Sequence, residues 1–423
     1  MKEVVFESLY AEPSRNGLTK PRSVRGTGYK MINMGELFAY GRINNPVMDL
    51  VPLTSKELQN FQVKKGDLLF ARQSLIASGA GKCSIVIDCP VITVFESHLI
   101  RVRLNPEKCN PLFYYYYFSS PIGIEKTQSL VSQVAAAGIR GSELAKLNVH
   151  YIEKKYQDKI AKILSNYDDL IENNNKRIKI LEEIAQKIYK EWFVDFKYPG
   201  HETATFKDTE LGKIPSDWEV KKVSHISVLY KGKSYKSSEL VEDKKGLPFL
   251  NLKCIERKGG FRRDGLKWFD GKYSDNHIVY PEDIIMAVTD LTQERLIVAR
   301  PARIPHNWYE KYVMSMDLVK LKPKDNIDIS YFYSLLKYSN FSEEVKNHAN
   351  GANVLHLNPQ NIEMYKLVVA SEKVRNQFGK IVNQIYNNID VLYLKNEMLV
   401  QTRDLLLPRL MSGEINVENL EIA

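Results

Sequence analysis

The stretch VKKGDLLFARQS, Val63–Ser74, is answered 216 positions later by VYPEDIIMAVTD, Val279–Asp290. Each copy is a polar turn, an acidic residue (Asp67 or Asp283), a short apolar run, then a small residue and polar groups. A four-residue apolar run closed by turn chemistry on one side and polar residues on the other predicts a buried strand. Other segments return at nearly the same offset. YKMINMGELF (Tyr29–Phe38) matches LPFLNLKCIE (Leu247–Glu256), LAKLNV (Leu144–Val149) matches MYKLVV (Met364–Val369), and KIAKIL (Lys159–Leu164) matches QFGKIV (Gln377–Val382). A near-constant offset across four separate segments means that one unit is written twice. Each copy has a β-rich, loop-rich section followed by a long helix, so the fold class is α+β.

The helices carry the clearest periodicity. Tyr156 to Phe193 contains no Gly or Pro, and its apolar residues recur in steps of four and three: Ile160, Leu164, Tyr167, Ile171, Asn174, Ile178, Leu181, Ala185, Ile188 and Trp192. The second copy gives Phe378, Val382, Ile385, Ile389, Leu392, Asn396, Leu399, Arg403, Leu406 and Leu410. A seam held for over four heptads predicts that the two helices form a coiled coil. The first helix ends where the second domain begins, so the simplest connection runs the second one back antiparallel; the linker Lys197–Asp217 is long enough for a parallel pair too. In an antiparallel seam, paired residue numbers share one sum. The sum 570 sets Asn174 against Asn396, Trp192 against Phe378 and Ala185 against Ile385, and it lets the two polar intruders satisfy each other. About 38 residues at ~1.5 Å each make a strut of roughly 57 Å, against ~34 Å for one turn of B-DNA.

Composition narrows the function. The 423 residues carry 60 Lys and Arg against 51 Asp and Glu, a net charge of +9. That balance fits either an ordinary basic surface or a polyanion partner. No apolar run nears the roughly 18 residues of a membrane span, and MKEVVFES has no signal-peptide core, so a cytoplasmic protein with no membrane partner is expected. Cys83, Cys89, Cys109 and Cys254 lack metal or disulfide spacing, and no cofactor is expected. IASGAGKC (Ile76–Cys83) fails as a phosphate loop, because Ile76 stands where the first Gly belongs and Cys83 where the metal-binding hydroxyl belongs. FYYYYF (Phe113–Phe118) reads as a buried helix in preference to a base-stacking platform.

Cations and amides cluster in both halves. In the first they are Arg72, Gln73, Ser74, Lys82, Arg101, Arg103 and Arg140, with the loop AAAGIRGS (Ala135–Ser142). In the second they are Lys253, Arg257, Arg262 and Arg263, with Asn350 and Asn353 in the loop NHANGANVLHLN (Asn347–Asn358). Lys and Arg neutralise phosphates, and Arg, Gln and Asn can pair with purine edges, so these residues are candidates for a DNA face. For any one of them an exposed surface cation is the alternative. Tyr189, Trp192, Phe193 and Phe196 make the end of the first helix unusually apolar. They are candidates either for partner binding or for packing on the adjacent domain.

LEEIAQKIYKEWFVDF (Leu181–Phe196), LGKIPSDWEV (Leu211–Val220), LLLPRLMSGEINV (Leu405–Val417) and GDLLFAR (Gly66–Arg72) closely resemble the specificity subunit of type I restriction–modification systems. The resemblance spans nearly the whole chain. It implies two target-recognition domains alternating with two long helices, in a pseudo-two-fold arrangement: residues 1–152 and 197–370 for the domains, 153–196 and 371–423 for the helices, with the linker ahead of the second domain and the tail behind the second helix. It implies a non-catalytic subunit that binds double-stranded DNA at an asymmetric bipartite site, the helices setting the gap. Its implied partners are two methyltransferase subunits and, through the complex, restriction motor-endonuclease subunits. Many relatives open on a copy of the IPSDW entry, whereas this chain opens on MKEVVFESLY, so the resemblance carries over no first strand for the first domain.

Overall fold

The computed structural model describes residues 2–131, 137–242, 245–306, 308–324 and 326–418. The chain divides into two units, one of residues 1–171 and 398–423, the other of residues 172–397. Each holds one recognition domain and a stretch of both long helices.

The first unit is built on a sheet ordered Tyr10–Asn16, Leu99–Leu104, Leu68–Ala71, Cys83–Asp88 and Arg42–Asn44. The second is built on Ser227–Lys231, Leu318–Pro323, Ile284–Ala287 and Pro301–Arg303. The GDLLFAR strand and its counterpart are thus the third strand of each sheet, antiparallel to both neighbours. Both are covered on two faces: Leu68, Leu69, Phe70 and Ala71, and likewise Ile284, Ile285, Met286 and Ala287, are all 0% exposed. A strand with no polar face needs an unbroken apolar run, and this is why the repeat does not alternate. Its acidic residue is structural. The Asp67 carboxylate accepts the Lys64 N–H at 2.7 Å and that of Asp283 accepts the Tyr280 N–H at 2.8 Å, closing the turn that feeds the strand.

A second small sheet recurs as well. Tyr29–Ile32 lies between antiparallel Asp49–Val51 and parallel Thr93–Phe95, as Leu247–Leu250 lies between Lys267–Phe269 and Tyr312–Met314. At the base of the first unit, Lys2–Val5 pairs with Asn148–Tyr151, matching the pairing of Glu219–Lys222 with Lys366–Val369. The opening MKEVVFESLY therefore supplies the first strand, with Lys2, Glu3, Val4 and Val5 set opposite Tyr151, His150, Val149 and Asn148. The hairpin Phe206–Thr209/Gly212–Pro215 has no counterpart among the described residues of the first unit. FYYYYF lies in the helix Pro111–Ser119, capped by Asn110 Oδ1, which accepts the Leu112 and Phe113 N–H. Phe113, Tyr114, Tyr116, Tyr117 and Phe118 are buried in the core, which removes them from any base-stacking role.

The long helices are Lys154–Phe193 and Glu372–Ser412. Every heptad-seam residue named above is buried or half-buried. Within the second unit the pair is antiparallel: Asn174 Nδ2 donates to Asn396 Oδ1 at 2.9 Å, and the rings of Trp192 and Phe378 are 5.7 Å apart. Asn396 Nδ2 donates in turn to Asn175 Oδ1 at 2.8 Å, so the buried amides are satisfied. In the first unit Arg403 Nη1 meets Asp168 Oδ1 at 2.5 Å, joining the same two helices there. Each fully buried Leu, Ile or Phe of the seam contributes about 1.5–3 kcal/mol.

Candidate nucleic-acid interface

In both units the third strand leaves the sheet through a buried alanine and one residue later makes a two-residue strand, exposed at Gln73 in the first unit and buried at Thr289–Asp290 in the second. Gln73–Ser74 pairs with Ala137–Gly138, and Thr289–Asp290 pairs with Leu355–His356. Flanking bonds repeat too: Ile139 N–H donates to Arg72 O at 2.9 Å, and Leu357 N–H to Val288 O at 2.8 Å. Two loops distant in sequence are thereby laced into one rigid tip in each domain. Loops held by a sheet in this way can present side chains without ordering cost at the moment of binding.

The two tips are fastened differently. In the first, Ser74 Oγ accepts the Ile76 N–H at 3.3 Å. In the second, the Asp290 carboxylate, 1% exposed, accepts from Thr292 N–H (2.9 Å), Thr292 Oγ1 (2.8 Å), Ile297 N–H (2.7 Å) and Val298 N–H (3.2 Å). Burial alone would push this carboxyl up; the donors overcome it and hold it below the usual carboxylate range. Gln293 Nε2 donates to Ala352 O at 3.0 Å and Arg295 Nη2 to Ala349 O at 3.3 Å, tying this loop to the segment that carries Asn350 and Asn353.

Several of the candidates read from sequence stand at these surfaces. Gln73 is exposed, its amide oxygen 3.0 Å from His98 Nδ1; Ser74 and Arg72 are half-buried beside it. Lys82 is exposed and donates to Phe38 O at 3.1 Å, and Arg140 is exposed. The first two residues of the AAAGIRGS loop lie outside the described residues. In the second unit Lys253, Arg257, Asn350 and Asn353 are exposed, and so is Arg262, although it is held bidentate by Asp264 at 2.7 and 2.8 Å. Lys253, Arg257 and Arg262 border a cavity of about 650 Å³ between the recognition domain and the helices of that unit.

Three candidates are corrected. Arg101 is 4% exposed and bridges Glu12 (2.5 Å) and the Gln62 carbonyl (2.9 Å); burial pulls its guanidinium below the usual range. Arg103 clamps the buried Asp67 with two bonds of 2.7 Å. Both lie on a strand hydrogen-bonded on each side, where a cation must pair with a carboxylate and is not free for phosphate. Arg263 is sandwiched between Trp308 (4.0 Å) and Tyr393 (4.6 Å), fastening its loop to the second long helix. Of the two roles the sequence left open for the four aromatics, partner binding or packing on the adjacent domain, packing is the one on view. Tyr189 (4% exposed) and Trp192 (8%) are buried; Phe193 packs on Phe378, Tyr331 and Trp218; Phe196 packs on Trp218 and Phe206. They close the core where the first helix meets the IPSDW segment, leaving little of them for a partner.

His98, Thr292, Gln293 and Arg295 join the tips without having been named as individual candidates from the sequence. The buried thiols Cys83 and Cys254 are pushed up by desolvation, Cys254 to about 12, which makes them inert packing groups. Among the described residues no group of three or more His, Cys, Asp or Glu side chains is placed to share a metal ion, and no helix is long and apolar enough to cross a membrane.

Comparison with known proteins agrees with this anatomy. The chain is 27% identical over 400 residues to the type I restriction enzyme MjaIX specificity subunit of Methanocaldococcus jannaschii, covering 88% of each chain. It is 22% identical over 448 residues to the HindI specificity subunit of Haemophilus influenzae, covering 91% of this chain and 94% of that one. The crystal structure of a type I restriction–modification S subunit from M. genitalium shares the fold, with a TM-score of 0.59, 17% identity and coverage of 97% and 95%. The model of the type I restriction modification DNA specificity domain matches twice, at residues 19–183 and 215–399. Those two matches take in most of the chain and both copies of its repeat, and the chain belongs to the family of type I restriction–modification specificity subunits.

Proposed function

We propose that this chain directs methyltransferase subunits, and through them a motor endonuclease, to an asymmetric two-part DNA site without catalysing any step itself. The observation that carries the reading is the laced tip, which occurs twice on one scaffold with different side chains. Domain one, residues 1–152, would read one half-site through Arg72, Gln73, Ser74, Lys82 and Arg140. Domain two, in residues 197–370, would read the other through Lys253, Arg257, Arg262, Asn350 and Asn353. Phosphate contacts by the cations fix register, and the amides and hydroxyls can meet base edges. Helices of 40 and 41 residues are each about 60 Å long, more than one turn of B-DNA, so a pair of half-sites separated by a gap fits better than a contiguous site.

Two methyltransferase subunits would dock on the helices. The aromatics at the end of the first helix are engaged in packing, but Met398 and Leu405 on the second stand outside the seam seven residues apart, 60 and 70% exposed. An apolar stripe of this kind suits a helix-on-helix contact.

The test is a methylation map. The chain is co-expressed with its neighbouring methyltransferase subunit in a host lacking such systems, and the genome is sequenced for modified bases. An asymmetric motif in two parts with a fixed gap is the expected result. A contiguous motif would refute the strut as spacer, and no motif from an intact complex would refute the specificity role.

A further inference from the structure

Two leucines stand in water at matching places. Leu75 is 103% exposed and Leu291 is 68% exposed. They are 216 residues apart, the same offset that relates Leu68–Ala71 to Ile284–Ala287 and Gln73–Ser74 to Thr289–Asp290. Each leucine is the first residue after the two-residue strand, at the crest of the laced tip.

Around them the copies diverge. Arg72 faces Val288 in the alignment, Gln73 faces Thr289, Ser74 faces Asp290 and Ile76 faces Thr292. Only Ala71/Ala287 and Leu75/Leu291 are identical in this stretch. The alanines are 0% exposed, and close packing under the sheet dictates them. Nothing inside the fold dictates the leucines, since an exposed position accepts any polar residue and gains solubility by it. Isolated surface leucines need no explanation, but the same one projecting from both copies of a divergent loop does. The backbone beside both is held: the ladder to Leu355–His356 fixes the residues before Leu291 and the Asp290 carboxylate fastens Thr292 and Ile297 after it, and the ladder to Ala137–Gly138 fixes the residues before Leu75.

We propose that Leu75 and Leu291 are apolar base-contacting tips, one for each half-site, which rests on the DNA-reading function proposed above. The ligand surface is the apolar part of a base, found either at the C5-methyl edge of a thymine in the major groove or on a ring face opened by unstacking. DNA is favoured over a protein partner because the crests are set among exposed cations and amides: Lys82, Arg140 and Gln73 in one, Asn350 and Asn353 in the other. Polar neighbours hold the phosphates and base edges while the leucine excludes water from one step.

The experiment uses the complex with its methyltransferase subunit and a duplex carrying the mapped motif. Leu75→Ala and Leu291→Ala remove mostly exposed atoms, so folding is retained. Each is expected to lower affinity for the motif about tenfold relative to a scrambled duplex. The methylation map of each variant relaxes in one half of the motif and keeps the other. Two probes separate the sources. If the contact is a methyl group, replacing one thymine by uracil weakens the wild type and adds nothing to the variant. If it is an opened step, 2-aminopurine brightens with the wild type and stays dark with the variant. Unchanged selectivity in both variants with both probes flat overturns the proposal, while an intact bipartite wild-type motif leaves the specificity reading standing. Loss of the methyltransferase subunit from the variant complex, with selectivity kept, overturns it in favour of a protein contact.

Discussion

At Ser74 the first recognition domain turns its tip loop on one hydroxyl bond of 3.3 Å; at Asp290 the second turns the corresponding loop on a buried carboxylate with four donors. The strands beneath are ordered alike, yet the loops above are secured by unrelated chemistry. The sheet and the tip are therefore separable: packing fixes the first in both copies, and each copy is free to fix the second in its own way. A stiffer tip loses less freedom on binding and tolerates fewer wrong partners. The second half-site should then be read more strictly than the first.

The attachment of each domain to the helices shows the same independence, and it offers the largest effect. Arg303, 6% exposed, pairs with Asp390 on the second helix at 2.8 Å in the second unit. In the first unit Asp168 on the first helix accepts from Tyr116 Oη at 2.5 Å and from Arg403 at 2.5 Å. Asp168 and Asp390 are 222 residues apart, off the 218 offset that relates the helices, so the two ties are separate solutions to one need. Asp390→Ala leaves a buried guanidinium with only its longer carboxylate contact, to Glu282 at 3.4 Å, and should cost about 3 kcal/mol. Native-state hydrogen exchange should show the loss in residues 172–397 with protection kept in 1–171. Equal loss in both would break the idea that the units stand alone.

How much of this could be read in advance follows from the range of the forces involved. The repeated strand and the heptad seam were legible because each is a local period imposed by one packing surface. Asn174 and Asn396 stood out because a polar residue breaks such a period. Arg101 and Arg103 were misread because a guanidinium suits a phosphate and a carboxylate equally well, and only the pairing of Leu99–Leu104 between two other strands shows which one it meets. Tyr189, Trp192, Phe193 and Phe196 were ambiguous for a like reason: apolarity declares that a surface is covered, and Trp218 and Phe378, distant in sequence, do the covering. The tips were half legible. Their cations and amides were plain, but the lacing of 289–297 to 349–356 depends on long-range pairing that no local pattern encodes.

Removing the fastening sharpens the comparison of the tips. Asp290→Ala orphans several donors and should cost about 2–3 kcal/mol, against less than about 0.5 for Ser74→Ala. In the assembled complex Asp290→Ala should relax the second half of the methylated motif and Ser74→Ala should leave the first almost unchanged. The carboxylate also predicts a pH dependence. Its folded pKa lies below the unfolded value, so its contribution is complete above the ordinary aspartate value of about 3.9 and is lost as pH falls through the folded value. The stability gap between wild type and Asp290→Asn should therefore narrow in acid and be flat from about pH 5 upward, as urea midpoints would show. A gap that widened in acid would mean that the carboxyl binds its donors in the protonated form.

The smallest effect tests the turn beneath both tips. Gly66 holds φ +88° and the repeat-related Glu282 holds φ +71°, so one copy meets the left-handed requirement with glycine and the other bears it with a side chain. A Cβ at Gly66 would meet only Pro111, at 3.5 and 3.6 Å, which is ordinary contact. Gly66→Ala should therefore cost only the conformational term, about 1 kcal/mol. Glu282→Gly recovers a similar term but gives up the contacts of Glu282 with Arg303 (3.4 Å) and His306 (2.9 Å). Pairs of this kind contribute about 0.2–1 kcal/mol each, so the two changes should cancel to within about 1 kcal/mol. A clear gain in the denaturation midpoint of Glu282→Gly would show that the ion pairs add nothing and that the second copy carries its strain without return. A clear loss would show that the side chain is kept because it holds Arg303 in line for Asp390.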